Sequence, residues 1–260
     1  MKKLLIGGVL LALLLPLHAM AADSAFDGTW KIDVNQVKAS TKPMVVTLKD
    51  GDYACDCTPP IKIKADGMDH AVTGHPRMDT DAIKVVDDHT IVETAKKDGK
   101  VVGTRTTTVA ADGKTATFES VSNREGSDAT VKGTMTRVAA APAGWHAAAG
   151  AWRTTSYQSA TDSTLLTTYK VDGNTVTMKD MRGESYTATL DGKPAPYKGD
   201  PGTDMVTVTM DGKTMVETFM FGGKVTSIAK TTISPDGKTM TTHVLNKPSD
   251  REMTLVALKQ

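Results

Sequence analysis

Two cysteines and two histidines are the first residues in this chain whose types and spacing could do chemistry. Cys55 and Cys57 are the only cysteines among 260 residues, and His70 and His75 follow Cys57 by 13 and 18 positions. On a regular strand, residues two apart share a face with Cα atoms about 6.6 Å apart, from a rise of about 3.3 Å per residue. That is the upper edge of what a disulfide tolerates, so a bridge requires a local bend. Thr58-Pro59-Pro60 directly follows the pair and can supply it by ending the strand. Closing so short a loop adds little stability through the unfolded chain, and a small bridge of this kind would serve as a redox or reactive element. Two rival readings stand beside the disulfide. One is a pair of free thiols on an ordinary strand. The other is a soft-metal site in which Cys55, Cys57, His70 and His75 hold zinc or copper, although Pro59-Pro60 and the C-x-C spacing do not fit a zinc finger.

Other chemistry is marked mainly by absence. The sequence contains no G-x-S-x-G elbow, H-E-x-x-H, Walker loop or G-x-G-x-x-G, so no catalytic residue is assigned. Most Asp and Glu sit in turns, where Asp supports the turn itself. Met205, Met210, Met215 and Met220 recur every five residues. That spacing alternates faces on a strand, so a Met-lined core or cavity is the better reading than a copper(I) site. Lys plus Arg is 31 against 30 for Asp plus Glu, a net charge of +1. Without a clustered basic excess the chain is not expected to bind nucleic acid.

The segment 1–21, MKKLLIGGVLLALLLPLHAMA, reads as a cleaved export signal. Lys2 and Lys3 form a positive start, Leu4 to Leu17 an apolar stretch, and Ala19-Met20-Ala21 a small-x-small cleavage site. No Cys follows the site, so no lipid anchor is expected. The style is that of a Gram-negative bacterium, which places the mature chain in the periplasm. No other apolar run approaches the length of about 20 residues that a membrane span needs.

The remainder is a tandem repeat. Gly28-Thr29-Trp30 answers to Gly150-Ala151-Trp152, and Asp50-Gly51 to Asp172-Gly173. Val92-Glu93-Thr94 answers to Val216-Glu217-Thr218, and Asp112-Gly113-Lys114-Thr115 to Asp236-Gly237-Lys238-Thr239. The offset drifts only between 122 and 125. The expected organisation is a first domain over 22–140, a linker over 141–149 and a second domain over 150–260. With 39 Thr, aromatics at 5% and Asp-Gly dipeptides punctuating the alternation, both halves read as strands joined by tight turns. Eight to ten antiparallel strands per half, in sequential hairpins, favour a meander barrel, because closing the sheet removes its edges. The fold class is therefore all-β, with two tandem antiparallel barrels.

A Gly-x-Trp on the opening strand of a meander barrel resembles the first motif of lipocalins and the wider calycin group. In that group the Trp seals the closed end of the barrel under an Arg or Lys from the last strand. The resemblance implies that Trp30 and Trp152 are such plugs, and that Arg137 covers Trp30. Leu255 falls at the matching place in the second half, which would then rely on apolar packing or on Arg153. The run Tyr53-x-Cys55-x-Cys57-x-Pro59-Pro60, with Lys64-Ala65-Asp66-Gly67, Gly74-His75-Pro76 and Asp79-Thr80, is similar to exported bacterial proteins of unknown function carrying one or two lipocalin-like domains. It implies no known activity. The expected function is a binding protein holding a small, largely apolar molecule inside a barrel. The alternatives are a filled structural module of the cell envelope, and a metal or redox protein using the Cys55/Cys57 patch.

Overall fold

The computed structural model describes residues 24–123 and 128–260, so the export signal lies outside the described residues. Among the described residues the chain forms two ten-stranded antiparallel sheets, one closed into a barrel and the other nearly closed. The all-β expectation holds; helix is confined to Val34–Gln36 and Asp162–Leu165. No helix among the described residues is long and apolar enough to cross a membrane.

The sheets do not follow the two halves of the sequence. Strand β1 (Gly28–Ile32) leaves the first half altogether. The first barrel then runs without interruption through β2 (Met44–Lys49), β3 (Asp52–Cys55), β4 (Ile61–Lys64), β5 (His70–Ala71), β6 (Thr80–Asp87), β7 (Thr90–Lys97), β8 (Lys100–Val109), β9 (Thr115–Ser122), β10 (Ala129–Ala140) and β11 (Gly150–Ala160). β11 pairs with β10 on one side and β2 on the other. The second barrel consists of β12 (Leu166–Asp172), β13 (Thr175–Asp180), β14 (Ser185–Thr189), β15 (Ala195–Lys198), β16 (Met205–Asp211), β17 (Thr214–Phe221), β18 (Lys224–Ile233), β19 (Thr239–Asn246) and β20 (Arg251–Lys259). It is closed by β1, which pairs with both β12 and β20. The first barrel is thus inserted between the first and second strands of the other.

This corrects the division into independent barrels at 22–140 and 150–260, and the reason is local. The short segment 141–149 lets β10 and β11 form a hairpin, and sequential strands separated by a short connection pair most readily. With β11 held there, β12 and β20 expose unpaired edges that β1 covers. The segment 141–149 is also not a free linker. Ala148 and Ala149 are buried in the first core, and the His146 amide donates to the Leu48 carbonyl at 3.1 Å.

The nine Asp-Gly pairs divide into turn types. At Asp50-Gly51 and Asp98-Gly99 both residues have positive φ, as a two-residue hairpin loop requires. Each barrel has its own core. Val46, Leu48, Tyr53, Ile83, Ile91, Phe118, Met135 and Trp152 fill part of the first. Trp30, Tyr169, Val176, Met178, Tyr186, Val206, Val208 and Met215 pack the second.

A fragment spanning 38–161 carries every strand of the first barrel, whereas 22–140 lacks the strand that closes it. The first is expected to unfold cooperatively in urea with the near-ultraviolet signal of a packed Trp152, and the second to show neither. Cooperative unfolding of 22–140 alone would overturn the exchanged topology.

Candidate functional site

Each Gly-x-Trp motif builds the same plug. The Trp30 indole donates to the Phe26 carbonyl at 2.9 Å, and the Trp152 indole to the Ala148 carbonyl at 2.8 Å. A cation lies over each ring, set by strand register. Arg137 stands opposite Trp152 on β10, with its guanidinium carbon 4.2 Å from the ring centre. Lys259 stands opposite Trp30 on β20, with Nζ at 5.4 Å. Arg137 therefore covers Trp152 rather than Trp30, and its counterpart is Lys259, not Leu255 or Arg153. The strand exchange moves each Trp into the barrel opposite its own cation. The glycine of each motif also has a cause. Gly28 and Gly150 have φ of 124° and 131°, and a Cβ on them would lie within 2.8 Å of Lys259 Cε and 2.7 Å of Arg137 Nη1 respectively.

Arg137 does more than cover a ring. Its Nη1 donates to the Ala149 carbonyl and its Nη2 to the Ala147 carbonyl, each at 2.5 Å, and its Nε donates to the Gly113 carbonyl. One side chain thus ties the turn after β10 to the turn between β8 and β9.

The structure joins Cys55 and Cys57 in a disulfide with Cα atoms 5.2 Å apart, closer than a regular strand would hold them, so the anticipated bend is present. The thiols are spent on each other. His70 instead contacts Asp66 Oδ1 at 2.8 Å, and His75 Nε2 is buried without a partner. The set Cys55, Cys57, His70 and His75 is not assembled, and among the described residues no group of three or more His, Cys, Asp or Glu is placed to hold a metal. The bend presents Asp56, which binds the Val45 amide at 2.9 Å and faces Arg251 of β20 at 3.3 Å.

Above this bend lies a cavity of about 580 Å³, within the range of small-molecule sites. Its deep wall is the inner face of the first barrel, with Tyr53, Glu93, Arg105, Met135, Trp152 and Tyr157. Its roof comes from the second barrel, where Val244, Asn246, Ser249, Arg251 and Met253 project from the β19–β20 hairpin. Lys42 Nζ bonds the Ser249 carbonyl at 2.7 Å and Arg251 Nη2 the Pro43 carbonyl at 3.0 Å, which pins that roof.

The charged groups in the wall went unassigned in the sequence, although the repeat contains them. Glu93 and Glu217 occupy the same repeat position. In the second barrel, Tyr186 donates to Glu217 Oε1 at 2.5 Å and Tyr169 at 3.5 Å. Burial pushes the Glu217 carboxyl up to about 7, partly opposed by those two hydrogen bonds. In the first barrel the cross-strand partner of Glu93 is Arg105, where the second has Ala229 opposite Glu217. Asp81 stands where the second has Val206. Arg105 lies 4.1 Å over the Phe118 ring and donates to Ser120 Oγ at 2.9 Å and Met135 Sδ at 3.6 Å. Burial raises the carboxyls of Asp81 and Glu93 and the phenol of Tyr53 above their ordinary values. The second barrel satisfies the Glu217 carboxyl with two phenols; the first carries a charged wall of the cavity instead. Across β16–β17, Met205 stands opposite Met220 and Met210 opposite Met215, with Met215 fully buried and Met210 exposed. No known family model and no curated protein matches the chain.

Removing Arg137 leaves three carbonyls without their charged donor. Arg137→Ala is expected to destabilise the first barrel by about 2–4 kcal/mol, and Lys259→Ala, at an exposed position, to cost the second less than about 1 kcal/mol. Equal losses in urea unfolding would contradict this reading. Glu217 gives a pH signature. Its folded value lies above its unfolded one, so its stabilisation is complete below pH 4.5 and is lost as pH rises toward 7. The loss is at most about 1.4 kcal/mol per pH unit. Glu217→Gln should remove that slope, so that the variant gains on the wild type between pH 5 and pH 8 in urea midpoints. A constant difference across that range would refute the assignment.

Proposed function

We propose that this chain is an exported, periplasmic binding protein of lipocalin-like build, whose first barrel holds one small molecule with a largely apolar body. The observation that carries this reading is the cavity of about 580 Å³, in which Met44, Met135, Trp152 and Tyr157 surround Glu93, whose carboxyl makes no hydrogen bond among the described residues. Apolar walls with a few convergent polar groups are the usual composition of a ligand site. The equivalent space in the second barrel is occupied by Tyr169, Met178 and Tyr186, so that barrel serves as scaffold and roof. The disulfide between Cys55 and Cys57 accords with an oxidising compartment and here shapes the cavity rim.

The test is native mass spectrometry of the protein purified from its own periplasm. One small-molecule adduct per chain is expected, and it should disappear in Thr154→Trp, which places an indole in the cavity while the far-ultraviolet spectrum stays unchanged. A bare mass for the wild type, together with no change in Trp152 fluorescence on adding periplasmic extract, would favour a structural role instead.

A further inference from the structure

The inside of the first barrel sets two carboxyls against one guanidinium. The carboxyls come from adjacent strands, Asp81 on β6 and Glu93 on β7. Asp81 is 0% exposed, and neither of its oxygens has a hydrogen-bond partner of normal geometry, although the neighbouring Ala82 amide offsets part of its burial. Glu93 lines the cavity and, among the described residues, makes no hydrogen bond and no ion pair within 4.0 Å. The single guanidinium nearby, Arg105, faces Glu93 across the strands and acts on its charge, but its face lies on Phe118 and its hydrogen bonds go to Ser120 and Met135. Buried polar groups are ordinarily paired, and an unpaired carboxylate is among the most costly to leave so.

What would complete this interior is a cation that donates hydrogen bonds. A carboxylate ligand would meet two acids and an arginine that already faces Glu93. A neutral ligand would leave Glu93 without a charge-assisted hydrogen bond. A metal ion would find Glu93 as the sole carboxylate in the deep wall, with no group of three ligands among the described residues. An ammonium group brings the charge, up to three donors, and an affinity for aromatic faces, and Tyr53, Trp152 and Tyr157 line the same wall. The cations at the rim do not oppose it. Arg251 is paired with Asp56 and Lys42 with the Ser249 carbonyl, and Glu252 adds a further carboxylate there.

We infer that the ligand of the first barrel is a primary amine on an apolar body, with Glu93 as counter-ion to its ammonium group and Tyr53, Trp152 and Tyr157 around it. This rests on the first barrel being a ligand site.

The experiment is isothermal titration of the full mature protein with three probes sharing one body, 4-phenylbutylamine, 4-phenylbutanol and 4-phenylbutyrate. The amine should bind at least ~10-fold more tightly than the alcohol, as expected for a charge-assisted bond in a desolvated site, and the butyrate should give no heat. Glu93→Gln should weaken the amine by ~10-fold or more while leaving the alcohol within about twofold. The comparison of probes on the wild type needs no variant, so it stands even if Glu93→Gln fails to fold. If the butyrate binds best and loses affinity in Arg105→Gln, the ammonium assignment falls while the cavity reading survives. Equal binding of amine and alcohol also overturns the assignment. If none of the three binds, both the assignment and the ligand site fall.

Discussion

A sheet edge left unpaired exposes a row of backbone N–H and C=O groups, and the architecture follows from how this chain disposes of its edges. The hairpin between β10 and β11 is the decisive pairing. It is local, long, and made across nine residues of β11. Once β11 is spent on the first sheet, the second has nine strands of its own and two open edges. Only β1 remains to fill the gap, and it does so with four register pairs to β12 and three to β20. The two barrels therefore cannot be separated at the repeat boundary without opening one of them. Two covalent crossings, 33–43 and 161–165, hold them side by side, and ion pairs such as Arg77 with Asp200 at 2.6 Å add to the seam.

Within that frame, duplication and substitution have produced unlike interiors from one pattern. The position shared by Glu93 and Glu217 points inward in both barrels. In one, phenols reach the carboxylate and large side chains fill the space around it. In the other, Ala is replaced by Arg105 and Val by Asp81, which bring further ionisable groups beside Glu93. Burying Arg105 and Asp81 costs more than burying the Ala and Val of the sibling barrel. Binding sites commonly accept such a cost, because groups left unpaired in the empty protein are the ones a ligand can satisfy.

Much of this was legible in the sequence, and the limits have physical causes. The repeat, the strands and the plugs follow from periodicity, Asp-Gly turns and Gly-x-Trp, which are local. The exchange of β1 was not legible, because Trp30 and Trp152 carry similar sequence neighbours and only the pairing of distant edges tells the two arrangements apart. The error over Arg137 follows from the same cause. The correct counterpart, Lys259, sits at the same offset of 122 that relates Trp30 to Trp152, so strict register would have found it. The charged wall was within reach too. Ile91, Glu93 and Ala95 share one face of β7, and alternation alone places Glu93 beside a core residue. The cysteine bend was foreseen from its spacing, but the histidines were grouped with it by sequence distance, which says little in a meander where loops carry residues to separate faces.

The insertion also explains why the cavity has a roof made by the other barrel. A lone first barrel would open to water above Cys57 and Met44. Because β1 is built into the second barrel and β2 into the first, the connection through Ala39, Ser40 and Lys42 must run across that opening. It brings β20 with it, since Lys38 pairs with Thr254, and the β19–β20 hairpin settles over the mouth. Asp56, held outward by the Cys55–Cys57 bend, receives Arg251 from that hairpin. The edge pairing that closes the second barrel is thus also what covers the first, so the second barrel lines the cavity without using its own interior.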